Sequence, residues 1–385
     1  MMKILADYNI PFAKQAFSCF GDVSFFVGRE LTEAQAAQAD VLLVRSVTQV
    51  NAALLAQSAV QFVGSATIGT DHIDLDYLAK RQIAFANAPG SNATSAAEYT
   101  LSAILYFAQQ QSITLAGLKV GVVGYGNVGS RVVARLKALG VDIYIYDPPR
   151  AEQYQDVDYC TWDDICDCDV ISAHVPLTRE GAYPTLHMFN QAFFATIKPG
   201  ALFINTARGK AVDEAALLSR LEQGKVIHLI LDVWDHEPHI NRTLLAKSLI
   251  STPHIAGYAY DGKLRGTQMI YRAACDVLGH SPSWSMADVL GHDKTQLVLS
   301  SQDDRQQQVT ELVKQAYDIT LDSNRLRQIQ QMDSAAAGKH FDMLRKEYPM
   351  RREFSHYQVD VSGQPDAVTS LLSQLEFNLI DSNAL

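Results

Sequence analysis

Basic residues are the scarcer charge in this chain. Against 42 aspartates and glutamates stand 32 lysines and arginines, for a formal charge of −10 and a pI near 5.5. Nucleic-acid binding needs a basic surface, so a nucleic-acid partner is not expected. Long hydrophobic runs are missing too. No stretch of 18 apolar residues occurs, so no membrane partner is expected, and the opening Met1 to Leu5 meets Asp7 before a secretory signal can form. The expected compartment is the cytoplasm. Cysteine is sparse: the five, at positions 19, 160, 166, 168 and 275, are odd in number and lack a C-x-x-C pair. That excludes a disulfide framework and fits a reducing compartment. Cys160, Cys166 and Cys168 have no suitably spaced histidine, so no metal site is expected. Internal repeats and low-complexity tracts are also absent.

What is present is an ordinary globular composition, 48% hydrophobic and 19% charged. A length of 385 residues implies two or three domains at about 150 residues each.

The most informative stretch runs from Lys119 to Pro149. An apolar strand, 119–123, breaks into Gly124-Tyr125-Gly126-Asn127-Val128-Gly129, a G-x-G-x-x-G between strand and helix. Gly124 permits the tight turn, Gly126 lets backbone approach a pyrophosphate, and Gly129 lets the helix pack closely on the strand. The helix start, from Asn127 and Val128, offers free N–H groups to phosphate. Val132, Val133, Leu136 and Leu139 then recur at helical spacing, and Gly140 stands where a left-handed cap belongs. A second strand, 141–146, ends on Asp147, placed to accept hydrogen bonds from the ribose hydroxyls of NAD and to repel the 2′-phosphate of NADP.

Strand-like runs near residues 4, 23, 41, 61 and 83 alternate with helical ones, which predicts a parallel sheet covered on both faces. The polar turns Arg45-Ser46-Val47-Thr48 and Ser65 to Asp71 follow two of these strands and are candidate substrate loops. Four more strands, near 170, 201, 226 and 249, join the two of the glycine unit to make six. The predicted class is α/β, with two doubly wound parallel-sheet domains of Rossmann or flavodoxin type and a C-terminal α+β dimerisation domain. Residues 1–98 and 256–286 are assigned to substrate binding, 99–255 to NAD and 287–385 to the dimer. In the last region, strands are expected at 296–299 and 357–361 and helices near 307–318, 323–331 and 366–375. The absence of a flexible linker around Pro282 argues for close docking of this region. Its basic run, Arg345, Lys346, Arg351 and Arg352, reads first as a solvated helix face, and in a dimer as charge near the partner's active site.

Three strand ends in the cofactor half carry charge: Asn205-Thr206-Ala207-Arg208-Gly209, Asp232 to Pro238, and Thr252 to Gly257. Together they supply an anion hook in Arg208, an orienting acid in Glu237 and a general base in His254. Arg208 can grip a carboxylate with its planar fork, and Glu237 would fix the His254 tautomer and stabilise its imidazolium. Asp232 would hold the nicotinamide carboxamide or keep the nicotinamide pocket electronegative.

In these residues the chain resembles the D-isomer-specific 2-hydroxyacid dehydrogenases, in which such an Arg, Glu and His are the catalytic set. Val44-Arg45-Ser46-Val47-Thr48, Gly69-Thr70-Asp71-His72, Asp147-Pro148-Pro149-Arg150, Pro253 to Tyr258 and the tail from Phe341 to Phe354 resemble one branch of that family. That branch oxidises 4-phospho-D-erythronate with NAD in pyridoxal 5′-phosphate biosynthesis. The resemblance implies substrate contacts from Arg45, Ser46, Thr67 and Tyr258. It implies cofactor contacts from Asp147, Val175, Ala207, Asp232 and Gly257, and it implies a homodimer. Val175 stands where that branch can carry Thr, so only a backbone contact would survive there. The nearest alternatives are a sister enzyme acting on 3-phosphoglycerate or glyoxylate, and a non-enzymatic NAD sensor on the same scaffold.

Overall fold

A computed structural model describes residues 1–224, 226–291, 293–301 and 304–382. The chain divides into two compact units, one of residues 1–92 and 259–293, the other of 93–258 and 294–385.

The first unit carries the parallel strands β1 (Met2–Asp7), β2 (Gly21–Phe26), β3 (Val41–Val44), β4 (Phe62–Ser65) and β5 (Ala84–Ala86), in the order β2-β1-β3-β4-β5. Alternate strand residues face opposite layers. Ile4, Val41, Leu43 and Phe62 pack with the helix Tyr260–Leu278, whereas Leu5, Leu42, Val44 and Val63 pack against helices on the other side. Ligands bind such sheets beyond the carboxyl ends of their strands. Arg45 and Ser46 follow β3 there, and Thr67 follows β4.

In the second unit a six-stranded parallel sheet is formed by β6 (Lys119–Val123), β7 (Asp142–Tyr146), β8 (Val170–Ala173), β9 (Leu202–Asn205), β10 (His228–Leu231) and β11 (Ile250–Ser251). Its order is β11-β10-β9-β8-β6-β7. A parallel bridge from Ile145 to Tyr159 extends the edge beyond β7. Because the central strands are covered on both sides, they read as continuous apolar runs. Val120, Val122, Leu202 and Ile204 face one core, and Ile171, Phe203 and Leu229 face the other. The helix Ala93–Gln111, 19 residues long and buried along most of its length, fills the first core.

The C-terminal residues add a small parallel sheet, β12 (Thr295–Leu297), β13 (Tyr357–Asp360) and β14 (Asn378–Ile380), in the order β12-β13-β14. Val309, Leu312, Phe354 and Phe377 join one core of the dinucleotide sheet and Leu326 and Phe341 the other. Two elements here were not anticipated from sequence, the helix Ser334–Lys346 and the strand β14. The reading of the basic run as a wholly solvated face is corrected. Lys346 is exposed, but Arg351 is only 5% exposed, its guanidinium 3.8 Å from the Tyr317 ring centroid.

Candidate active site

The glycine turn after β6 has the geometry a bound dinucleotide requires. Gly124 has φ +93°, and a Cβ there would also meet the His174 carbonyl oxygen at 2.8 Å. A Cβ on Gly129 would lie 1.9 Å from the Gly124 oxygen, so only glycine allows the helix Asn127–Ala138 to start so close to the strand. Around Gly126 nothing stands within 4 Å of the corresponding position, which leaves room for a pyrophosphate at the helix start. Val175, 9% exposed, places a methyl 3.1 Å from the position of a Gly124 Cβ.

Asp147 leaves β7 with its carboxylate turned back to this loop. Its Oδ2 accepts a hydrogen bond from the Tyr125 N–H at 2.7 Å, and its Oδ1 accepts from the Arg150 N–H at 3.1 Å. A cavity of about 350 Å³ opens beside it, lined in part by Tyr146, Asp147, Pro148, Tyr159 and Tyr183. An open pyrophosphate position, a helix N-terminus and a carboxylate beside a cavity fit the adenosine end of NAD.

The loop that carries His254 is fastened to Asp232. Asp232 is 1% exposed. Its Oδ1 accepts from the Thr252 hydroxyl and the Ile255 N–H, both at 2.7 Å, and its Oδ2 accepts from the Ala256 N–H at 3.0 Å. Its backbone oxygen also takes the His254 N–H at 2.7 Å. Burial pushes the Asp232 carboxyl up, against the opposing pull of the His254 charge and of these donors. Of about four acceptor sites on a carboxylate, three are used, so one on Oδ2 remains for a donor such as a carboxamide. Thr252 is itself held by the Tyr99 hydroxyl at 2.6 Å, and its carbonyl accepts from Trp234 Nε1 at 3.0 Å. Sequence reasoning missed Thr252, Tyr99 and Trp234, because their importance lies in contacts across 18 and 153 positions that no local motif encodes.

His254 Nδ1 and Glu237 Oε2 lie 2.9 Å apart. The other carboxylate oxygen, Oε1, accepts from the Trp234 N–H at 3.0 Å, which fixes the acid relative to the imidazole. Burial works to raise the Glu237 carboxyl. The charge and hydrogen bond of His254, with Arg345 adding to them, outweigh it and hold Glu237 below the usual carboxylate value. With Glu237 on Nδ1, Nε2 is the nitrogen left for proton exchange.

Arg208 follows β9 on a loop that only glycine can complete. A Cβ on Gly209 would fall 1.9 Å from the Trp234 oxygen, so the loops after β9 and β10 touch backbone to backbone. Asn205 ties the same loop, donating to the Arg208 oxygen at 3.0 Å and accepting the Ala207 N–H at 3.0 Å. Nearby, His174 bridges the hydroxyls of Ser172 and Thr206, and burial pushes its imidazole down to about 3, so it is neutral. The second unit thus brings Arg208, Glu237, His254 and Asp232 onto neighbouring strand ends, with Gly257 and Tyr258 on the His254 loop. In the first unit, the Arg45 guanidinium donates to the Asn9 oxygen at 3.3 Å, Ser46 is exposed, and the Thr67 hydroxyl lies 2.8 Å from that of Ser65.

Comparison with known proteins accounts for this arrangement. Residues 94–256 match the family described as D-isomer specific 2-hydroxyacid dehydrogenase, NAD binding domain, and residues 291–375 match a domain of unknown function (DUF3410). The chain is 43% identical over 378 residues to erythronate-4-phosphate dehydrogenase of Cronobacter sakazakii, covering 98% of each chain. The chain belongs to the erythronate-4-phosphate dehydrogenase family. The Azotobacter vinelandii member is likewise 43% identical, with 97% of this chain and 99% of that one covered. Among solved structures, D-lactate dehydrogenase of Aquifex aeolicus, complexed with NAD and lactic acid, aligns with a TM-score of 0.60 and 26% identity. It covers 72% of this chain and 96% of that chain. The cofactor-bound 3-phosphoglycerate dehydrogenase of Entamoeba histolytica shares the fold at a TM-score of 0.64 and 22% identity, over 72% of this chain and 95% of that one. The match to erythronate-4-phosphate dehydrogenases spans nearly the whole chain and so takes in the C-terminal region. The protein is accordingly an NAD-dependent dehydrogenase with a dinucleotide-binding domain of this family.

Proposed function

We propose that the protein oxidises C2 of 4-phospho-D-erythronate to the 2-oxo acid, (R)-3-hydroxy-2-oxo-4-phosphooxybutanoate, as a step of pyridoxal 5′-phosphate biosynthesis. The observation that carries this reading is the His254–Glu237 pair at 2.9 Å, on a loop fastened to Asp232, in a chain 43% identical to enzymes of that name.

Bound NAD supplies the hydride acceptor for the C2 hydrogen. The chain's own residues handle the proton and the charge. His254 Nε2 takes the proton of the C2 hydroxyl as the C–O bond becomes a carbonyl, and Glu237 stabilises the imidazolium that results. Arg208 holds the C1 carboxylate and polarises the C2 oxygen. Asp232 offers its remaining acceptor to the carboxamide, Asp147 accepts from the ribose hydroxyls, and Gly124, Gly126, Asn127, Val128 and Gly129 frame the pyrophosphate. Val175, Ala207 and Gly257 line the cofactor, while Arg45, Ser46, Thr67 and Tyr258 contact the substrate. The C-terminal region, 287–385, is assigned to a homodimer, the commonest closed assembly. The compartment is assigned as cytoplasmic, in keeping with five free cysteines.

Purified protein with NAD and a panel of 2-hydroxy acids tests the reading. NADH should form fastest with 4-phospho-D-erythronate, and sedimentation of the same sample should give twice the chain mass. Preference for 3-phosphoglycerate or glycolate would reassign the substrate, and a monomeric mass would remove the dimer. Cell fractionation that recovers the protein outside the cytoplasm would overturn the compartment.

A further inference from the structure

The helix Ser334–Lys346 ends next to the acid/base pair of its own subunit. Arg345, in its last turn, sets its guanidinium 5.7 Å from the centroid of the Tyr258 ring, within hydrogen-bonding range of that side chain. Tyr258 is four residues beyond His254, and its own N–H is tied to the Ile255 oxygen at 2.8 Å, so the ring belongs to the catalytic loop. Tyr348 meets the same ring edge-on at 5.7 Å and is anchored through its hydroxyl to Asp322 at 2.7 Å. Tyr258 therefore meets both Tyr348 and the Arg345 cation.

Arg345 is half-buried, and its Nε, shielded from solvent, has no hydrogen-bond partner. A guanidinium carries five donors, and a buried one left unmade is costly. The charges acting on Arg345 are those of Glu237 and of Asp342, one turn back on the helix. Glu237, whose oxygens accept from His254 and the Trp234 N–H, makes no hydrogen bond to this Nε. A cation with spare donors beside a substrate-contacting tyrosine is suited to an anion, and the planar fork matches a phosphate.

We propose that Arg345 is a specificity-determining residue that binds the distal phosphate of the substrate together with Tyr258. This rests on the reading of the substrate as 4-phospho-D-erythronate. Arg208 would then hold the carboxylate end and Arg345 the phosphate end, so that the acid/base pair meets a substrate fixed at both ends. The C-terminal region thereby contributes a substrate contact within its own chain as well as an assembly surface.

The test compares wild type, Arg345→Gln and Arg345→Lys with 4-phospho-D-erythronate and with unphosphorylated D-erythronate. It also measures inhibition by inorganic phosphate. The preference for the phosphorylated substrate, as a ratio of kcat/KM values, should fall on the order of 10²-fold in Arg345→Gln, the loss of a charged hydrogen bond. Arg345→Lys should recover part of it, and phosphate should inhibit Arg345→Gln more weakly than wild type. Should D-erythronate turn over too slowly to measure, the change in phosphate inhibition decides. Equal losses on both substrates with unchanged phosphate inhibition would overturn the proposal and make Arg345 a residue that positions Tyr258 or Glu237. A wild type inactive on 4-phospho-D-erythronate would instead overturn the substrate reading itself.

Discussion

His254 has a φ of +58°, in the left-handed region that a side chain enters only at a cost of about 1–3 kcal/mol. The hydrogen bonds around it outweigh that cost. The two N–H groups that follow His254 both end on the Asp232 carboxylate, and a bond to a charged group contributes about 1.5–3 kcal/mol. The bent backbone turns the imidazole toward Glu237, whose carboxylate is held in its charged form to lower pH than usual. A carboxyl with a depressed folded value adds its stabilisation above the unfolded value and loses it as pH falls through the depressed one. Near neutral pH, then, Glu237 is a constant negative charge. Glu237→Gln should lower turnover and move the acid limb of the kcat/KM profile to lower pH, because the imidazolium loses its counter-charge. An unmoved limb would reduce Glu237 to a structural partner of the Trp234 N–H.

At the scale of elements, the His254 loop and the start of the helix Ala93–Gln111 are both clamped by the C-terminal segment. Arg351 donates to the Ala256 oxygen at 3.1 Å and to the Ser95 oxygen at 2.7 Å. Beside it, Glu98 accepts from the Phe354 N–H at 2.8 Å, and Glu353 accepts from the Ser95 hydroxyl at 2.8 Å. Burial, then the charge of Glu353, raise Glu98 to about 8 against the pull of Arg351. With Arg135 pulling in the same direction as Arg351, Glu98 still keeps its proton at neutral pH. The sign is the reverse of that for Glu237. The stabilisation is full below the unfolded carboxyl value and is lost as pH rises through about 8. Between pH 5 and pH 9 the melting temperature of the wild type should fall relative to Glu98→Gln, which keeps the acceptor but cannot ionise. Parallel melting curves across that range would rule out a titrating Glu98. None of this clamp was legible in the sequence, because its partners are separated by 95 to 258 positions. The helix Ser334–Lys346 escaped notice for another reason: it buries only Ala337, Gly338 and Phe341, too thin an apolar stripe for a clear period. Strand β14, three residues at a sheet edge, is too short to show one.

At the scale of the whole molecule, the legible parts are those where local chemistry and fold demand the same residues. The buried central strands are continuous apolar runs, and the glycine turn needs φ +93° at Gly124 and no Cβ at Gly129. The charged groups after β9, β10 and β11 stand at strand ends, where a parallel sheet collects its ligands. Alternation of strand and helix was enough to predict two parallel α/β sheets, because each strand carries its own apolar signal. The third sheet read less well because its strands are short and its helices mostly polar. Together these features support the proposal that a general base on a constrained loop withdraws the hydroxyl proton while a dinucleotide takes the hydride. The most direct test follows NADH formation from 4-phospho-D-erythronate in wild type and His254→Ala, with NAD affinity measured alongside. Rapid NADH formation by the wild type, turnover lowered by about 10²–10⁴-fold in the variant, and NAD binding nearly unchanged are the expected result. A His254→Ala enzyme that forms NADH at the wild-type rate would contradict it.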